Sequence, residues 1–201
     1  GQLYPTLIRL PGYPLFLAVC FRLFGIENYF AVCCAQIALD LLGCALLASF
    51  VRRVASPARK VGAAQATLWL AALCPFTASY TAFPLAETPT LFVLALALWA
   101  MARFHEHPGW KNAVWFTGAV CAAALLRPDG ALAAVAFAPA LVFRLPRAAI
   151  KKMQLVRMAS VCVVLALVPF AAWTWRNWKT FHVVEPLAPR GPVSVPRRER
   201  R

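Results

Sequence analysis

A few polar groups stand out as capable of chemistry because each interrupts or borders an apolar run. Arg127-Pro128-Asp129-Gly130 sets a cation and a carboxylate two residues apart between two hydrophobic stretches. A guanidinium there has two uses. It can pair with Asp129 across the turn, which Gly130 eases, or its planar fork can hold a phosphate. Glu87 opens another apolar run, within Tyr80-Thr-Ala-Phe-Pro-Leu-Ala-Glu-Thr-Pro-Thr90. A carboxylate at a helix start is favoured by the helix dipole, and it can equally be a cavity acid that touches substrate. Arg176-Asn177 sits among Trp173, Trp175 and Trp178, the composition of an aromatic belt at a membrane interface. Arg9 precedes Pro11-Gly12-Tyr13-Pro14. Asp40 is the one charge in the apolar run 29–51 and lies four residues after Gln36, on the same helix face. A charge at mid-bilayer costs at least ~2.5–3.5 kcal/mol on insertion scales. Asp40 is therefore a protonated or hydrogen-bonded packing residue, or an ion or proton site.

Other chemistries have little support. The seven cysteines, at 20, 33, 34, 44, 74, 121 and 162, all lie in apolar runs without metal or redox spacing, and read as small packing residues. His105-Glu106-His107 lacks a third ligand, so no metal is expected. No phosphate-binding Walker loop, nucleophile elbow or dinucleotide glycine motif occurs, and no cofactor is expected.

The elements that must position these groups follow from hydropathy. Of 201 residues, 62% are hydrophobic, and the mean hydropathy is +0.67. That excess over a soluble domain points to lipid as the solvent. The 21 Lys and Arg outnumber 7 Asp and Glu. They cluster between apolar runs, as in membrane loops, and do not form the basic face of a nucleic-acid binder.

Leu15–Phe24 is too short to cross about 30 Å of hydrocarbon and reads as an interfacial or re-entrant helix. Spans are expected over 29–51, from 61 to about 80, 84–101, 112–126, 130–143 and 158–175. The loops 52–60, 102–111 and 144–157 carry four, two and five Lys and Arg. The opposite loops, 81–86 and 127–129, carry none and one. The positive-inside rule places the first set in the cytoplasm and requires the break at Arg127, since a single 112–143 span would put the most basic loop outside. The expected fold is all-α: a polytopic transmembrane bundle of about six spanning helices plus one short interfacial helix. Residues 1–26 would be the remainder of a first outer loop, 27–177 the bundle, and 178–201 an irregular outer-face tail. The chain opens at Gly1 in mid-pattern, so a preceding span is expected upstream.

The order of these motifs resembles the GT-C membrane glycosyltransferases, the bacterial protein mannosyltransferase-like and lipid A aminoarabinose transferase-like enzymes in particular. Arg9-Leu-Pro-Gly-Tyr-Pro-Leu-Phe-Leu-Ala18 is similar to the family's R-x-P-x-Y-P entry to an interfacial helix, and Gln36 fits the next span. Pro84-Leu-Ala-Glu-Thr88 is similar to its acidic position at the outer start of a helix. Leu126-Arg-Pro-Asp-Gly130 is similar to its L-x-R-P-x-G turn. Pro169 with Trp173-Thr-Trp-Arg-Asn177 is similar to its P-W-x-x-R-N helix end. The resemblance covers nearly all of residues 5–190.

The resemblance implies transfer of a sugar from a polyprenyl-phosphate carrier to a glycan, lipid or protein acceptor on the outer face of a membrane, most naturally the bacterial plasma membrane, with no nucleic acid involved. Glu87 would serve the catalytic site by positioning acceptor or sugar. Arg9, Tyr13, Tyr80, Arg127, Asp129 and Arg176 would contact substrate, with the arginines stabilising the leaving phosphate. The family's catalytic Asp, the general base of an inverting attack, is expected upstream of Gly1, so this stretch alone is not expected to turn over. Two rivals are a secondary transporter fragment using Asp40 as an intramembrane ion or proton site, and a non-catalytic membrane scaffold. A transporter concentrates polar groups at the midplane and a transferase at the outer ends, which is where they lie here.

Overall fold

The computed structural model describes residues 10–133, 135–137 and 152–181. Within them every regular element is helical, with no strand. In chain order these are α1 (Gly12–Phe24), α2 (Tyr29–Val54), α3 (Lys60–Ala72), α4 (Pro75–Thr81), α5 (Glu87–Glu106), α6 (Trp110–Leu126), a 3-10 turn (Pro128–Gly130) and α7 (Lys152–Phe181). The all-α membrane bundle read from the sequence is the fold observed.

Among the described residues three or four helical segments meet the length and hydropathy of a crossing, against about six expected from the sequence. α2, α5 and α7 are each long and apolar enough to cross a bilayer, and α3 with α4 makes a fourth crossing bent by 50°. The bend has a local cause. Pro75 has no N–H to continue the ladder of α3, so Leu73 and Cys74 tighten onto Trp69 and Ala71 and the chain restarts at a new angle. α6, at 17 residues, reaches about 25 Å, short of a ~30 Å core. The expected span at 130–143 lies only partly within the described residues, as does the basic loop 144–157, while Arg9 and residues 182–201 lie outside them.

Helix ends also differ from the hydropathy boundaries. α2 runs on to Val54 because Arg52 and Arg53 in its last turn suit the negative end of the helix dipole. α7 begins at Lys152, so Arg157 is helical and not part of a loop. It also continues to Phe181, four residues into the segment expected to be irregular. Lys179 stacks on the Trp175 ring one turn back, at 5.2 Å, which favours that extension.

The helices pack through small residues. α5 and α6 form an antiparallel hairpin closed by His107-Pro108-Gly109, where Asn112 donates to the carbonyls of Arg103 and His107 at 3.3 and 2.8 Å. Their interface buries Ala97, Ala100 and Ala119 beside Phe116 and Val120. Without a hydrophobic drive between helices in lipid, close backbone approach over alanines is what holds such a pair. α2 lies on the other side of α5, with Gly43 facing the backbone of Phe92. α7 packs on α6 in parallel: Met158 joins Phe104 and Ala113 at one end, and Cys121 meets the Ala166 carbonyl farther along. The outward faces, such as Val163, Val164, Leu167 and Val168 on α7, are exposed and apolar, suited to acyl chains.

Candidate functional site at the acidic end of the α5–α6 hairpin

An antiparallel hairpin brings the start of α5 and the end of α6 to the same end of the bundle. Glu87 is the first residue of α5, and Arg127 directly follows α6. Arg127 N–H still donates to the Ala123 carbonyl at 3.0 Å, completing the last helical turn, before Pro128 turns the chain into the 3-10 segment. The side chain of Arg127 is thereby aimed across the hairpin. Its Nη1 donates to Glu87 Oε1 at 2.5 Å and its Nη2 to Asp129 Oδ2 at 3.1 Å. The pairing across the turn read from the sequence is present, together with a partner 40 residues away. The two carboxylates are not equivalent: Glu87 is 28% exposed and Asp129 70%.

Two glycines set this geometry by having no side chain. A Cβ on Gly130 would overlap the Ala123 carbonyl, so only glycine lets the turn fold back this closely on α6. A Cβ on Gly12 would lie 2.6 Å from the Leu125 carbonyl oxygen. The start of α1 is therefore pressed against the final turn of α6, beside Arg127.

A third contact fixes the other half of the hairpin mouth. Gln36, fully buried on α2, donates through Nε2 to the carbonyls of Phe83 and Leu85, both at 3.2 Å. Pro84 lies between those carbonyls, so one amide clamps the turn that leads into Glu87. Cys33, one turn earlier on α2, approaches the Ala82 carbonyl at 3.7 Å.

Glu87, Arg127 and Asp129 stand at the edge of a cleft of about 530 Å³. Tyr80 and Thr90 add polar groups, and the rest of the wall is Leu91, Leu94, Leu132, Ala133, Ala136 and Phe137 with Gly130. Four of the residues singled out from the sequence, Tyr80, Glu87, Arg127 and Asp129, thus share one cavity. Two others do not line it. Tyr13 is buried with its ring tilted against Phe16 at 5.9 Å, in the helix that abuts α6. Arg176 stacks on Trp173 at 4.7 Å and donates to Asn177 Oδ1 at 3.1 Å. The register of α7 on α6 puts that cluster at the Arg127 end of the bundle. Arg9 lies outside the described residues. Of the groups in the alternative readings, Asp40 lines neither this cleft nor a metal cluster among the described residues. Glu106, in the His105-Glu106-His107 motif, is the ion-pair partner of Arg53.

A family profile described as dolichyl-phosphate-mannose-protein mannosyltransferase matches residues 9–175. The chain belongs to this family. It is a membrane glycosyltransferase of the GT-C kind, as the resemblance implied, and every described residue of the cleft falls inside the matched segment. No curated protein and no solved structure matches it. In this glycosyltransferase, Gln36 and the apolar wall of Leu91, Leu94, Leu132, Ala133, Ala136 and Phe137 have no site role that the sequence alone assigns. An amide inside a run whose one charge is Asp40 is the sequence signal that marks Gln36.

Proposed function

We propose that the cleft binds the phosphate-proximal part of a polyprenyl-phosphate sugar and that Arg127 holds its phosphate. The observation that carries this reading is the pairing of a charged rim with an apolar wall in one cavity. A free sugar nucleotide has no use for the leucines and Phe137, and an acyl or prenyl chain has no use for Arg127. A lipid-linked phosphate uses both. Glu87 orients the guanidinium through Nη1, leaving its second carboxylate oxygen, which has no partner among the described residues, to accept a hydroxyl of the sugar or acceptor. Asp129, the more exposed carboxylate, holds Nη2 until phosphate displaces it.

During transfer the acceptor attacks the anomeric carbon with inversion. Its proton goes to a general base, which the family resemblance assigns to an Asp of the first outer loop, and the glycosidic C–O bond to phosphate breaks. Negative charge then grows on the leaving phosphate, where a fixed guanidinium stabilises it more than in the ground state. The basic ends of α2, α5 and α7 face the cytoplasm in this reading, and the cleft opens at the outer face of a bacterial plasma membrane. Residues 10–26 then belong to the outer loop, and 27–177 to the bundle.

The test is titration of polyprenyl phosphate into the chain in lipid nanodiscs. Arg127→Ala is expected to weaken binding by roughly 10- to 150-fold, the equivalent of ~1.5–3 kcal/mol for a hydrogen bond to a charged group. Arg127→Lys, which keeps the charge without the fork, weakens it less. Unchanged affinity in Arg127→Ala with an intact fold removes the phosphate role.

A further inference from the structure

We propose that the opposite end of the bundle carries a separate binding site for the headgroup of an anionic phospholipid. A cavity of about 500 Å³ lies where the last turn of α2, the 55–59 connection, the start of α3 and the end of α5 meet. Its side chains include Arg52, Arg53 and Lys60 against one acid, Glu106. Glu106 is already engaged by Arg53. Arg52 and Lys60 are exposed and face no acid among the described residues, whose lining side chains leave the cavity a surplus of two positive charges. The Nε of Arg53 faces the same region, buried and without a hydrogen-bond partner among the described residues.

Depth and surroundings select a lipid over a soluble anion. The cavity begins where the apolar run of α2 gives way to Arg52 and where α5 ends at Glu106, the level at which headgroup phosphates sit. α3 rises from it with none of its residues buried, and Val61, Leu68 and Trp69 are exposed along it. A headgroup held by Arg52 and Lys60 would lay its acyl chains along that surface. The site is distinct from the cleft at Arg127, because the 20 residues of α5 separate the two ends by roughly 28 Å.

The experiment measures lipid binding to the chain in a neutral detergent, by native mass spectrometry and thermal unfolding. Phosphatidylglycerol is titrated against phosphatidylcholine and inorganic phosphate. Phosphatidylglycerol is expected to bind and to raise the Tm, with little response to the other two. R52Q/K60Q should weaken phosphatidylglycerol roughly 30-fold, at about fivefold per basic residue. E106Q should tighten it by releasing Arg53, a gain that general loss of structure cannot mimic. R127A should leave it unchanged, because Arg127 sits at the far end. Equal binding of phosphatidylcholine, a full response to inorganic phosphate alone, or unaltered phosphatidylglycerol affinity in folded R52Q/K60Q each overturns the proposal.

Discussion

Replacing Asp129 by Asn separates a phosphate-binding role for Arg127 from a purely structural one, because the first moves lipid affinity and the second moves the Tm. Asp129 Oδ2 lies 3.1 Å from Arg127 Nη2 and is 70% exposed. Removing its charge frees one arm of the guanidinium and removes a like charge from beside an incoming phosphate. Two unit charges roughly 5 Å apart repel by about 0.8 kcal/mol in water and by about 3 kcal/mol at an effective dielectric constant of 20. The exposure of Asp129 puts the interaction near the lower figure. Asp129→Asn should therefore tighten polyprenyl phosphate by about 1 kcal/mol, close to fivefold. The fold should hardly register the change, because an exposed ion pair contributes ~0.2–1 kcal/mol and Glu87 still holds Nη1. The assay pairs a polyprenyl-phosphate titration with a thermal melt in the same nanodiscs. If Asp129→Asn lowers the Tm as much as Arg127→Ala does and leaves lipid affinity untouched, Arg127 is a turn-closing residue and the reasoning fails.

Gly130→Ala must push a methyl group into the Ala123 carbonyl, so it should destabilise the chain by about 1–3 kcal/mol, as overpacking does, and lower the Tm accordingly. Gln36→Leu strips two donors from the carbonyls of Phe83 and Leu85 and should cost roughly 1–3 kcal/mol. It should also weaken polyprenyl phosphate, since the turn ahead of Glu87 loses its clamp; a melt and a titration that both match wild type would show that the clamp is idle. Single cysteines at Ser56 and His107 in a cysteine-free background should be shielded from an impermeant reagent added outside, and one at Asp129 should react. Outside labelling at His107 would invert the topology.

The polar groups of the cleft were legible because membrane spans leave few places for them. Tyr80, Glu87, Arg127 and Asp129 all fall at the ends of apolar runs, and an antiparallel hairpin has to bring such ends together. The Arg127–Asp129 pair was legible, but the second acid, Glu87, was not. Asp129 is two residues away in sequence, whereas the 2.5 Å contact to Glu87 depends on how α5 and α6 align over 40 residues. Gln36 acts on backbone carbonyls 47 and 49 residues later, and carbonyls leave no trace in residue identity. Gly12 and Gly130 could be read as turn glycines. Their stricter role, letting one backbone touch another, appears only once the 128–130 turn folds back on Ala123 and α1 packs against the end of α6. Hydropathy gave the crossing over 61–80 as one run, but it could not show that Pro75 breaks that crossing into two helices or that α6 stops at 17 residues.

The most direct test of the account is to find where the donor lipid lies. A polyprenyl phosphate carrying a photoreactive diazirine on its first isoprene unit, crosslinked to the chain in nanodiscs and mapped by peptide mass spectrometry, reports contacts near the phosphate. The account predicts adducts on Leu91, Leu94, Leu132, Ala133, Ala136 and Phe137, diminished in Arg127→Ala and competed by unlabelled polyprenyl phosphate. Competable adducts confined to α3 or the outward face of α7, with none in the cleft, would contradict it.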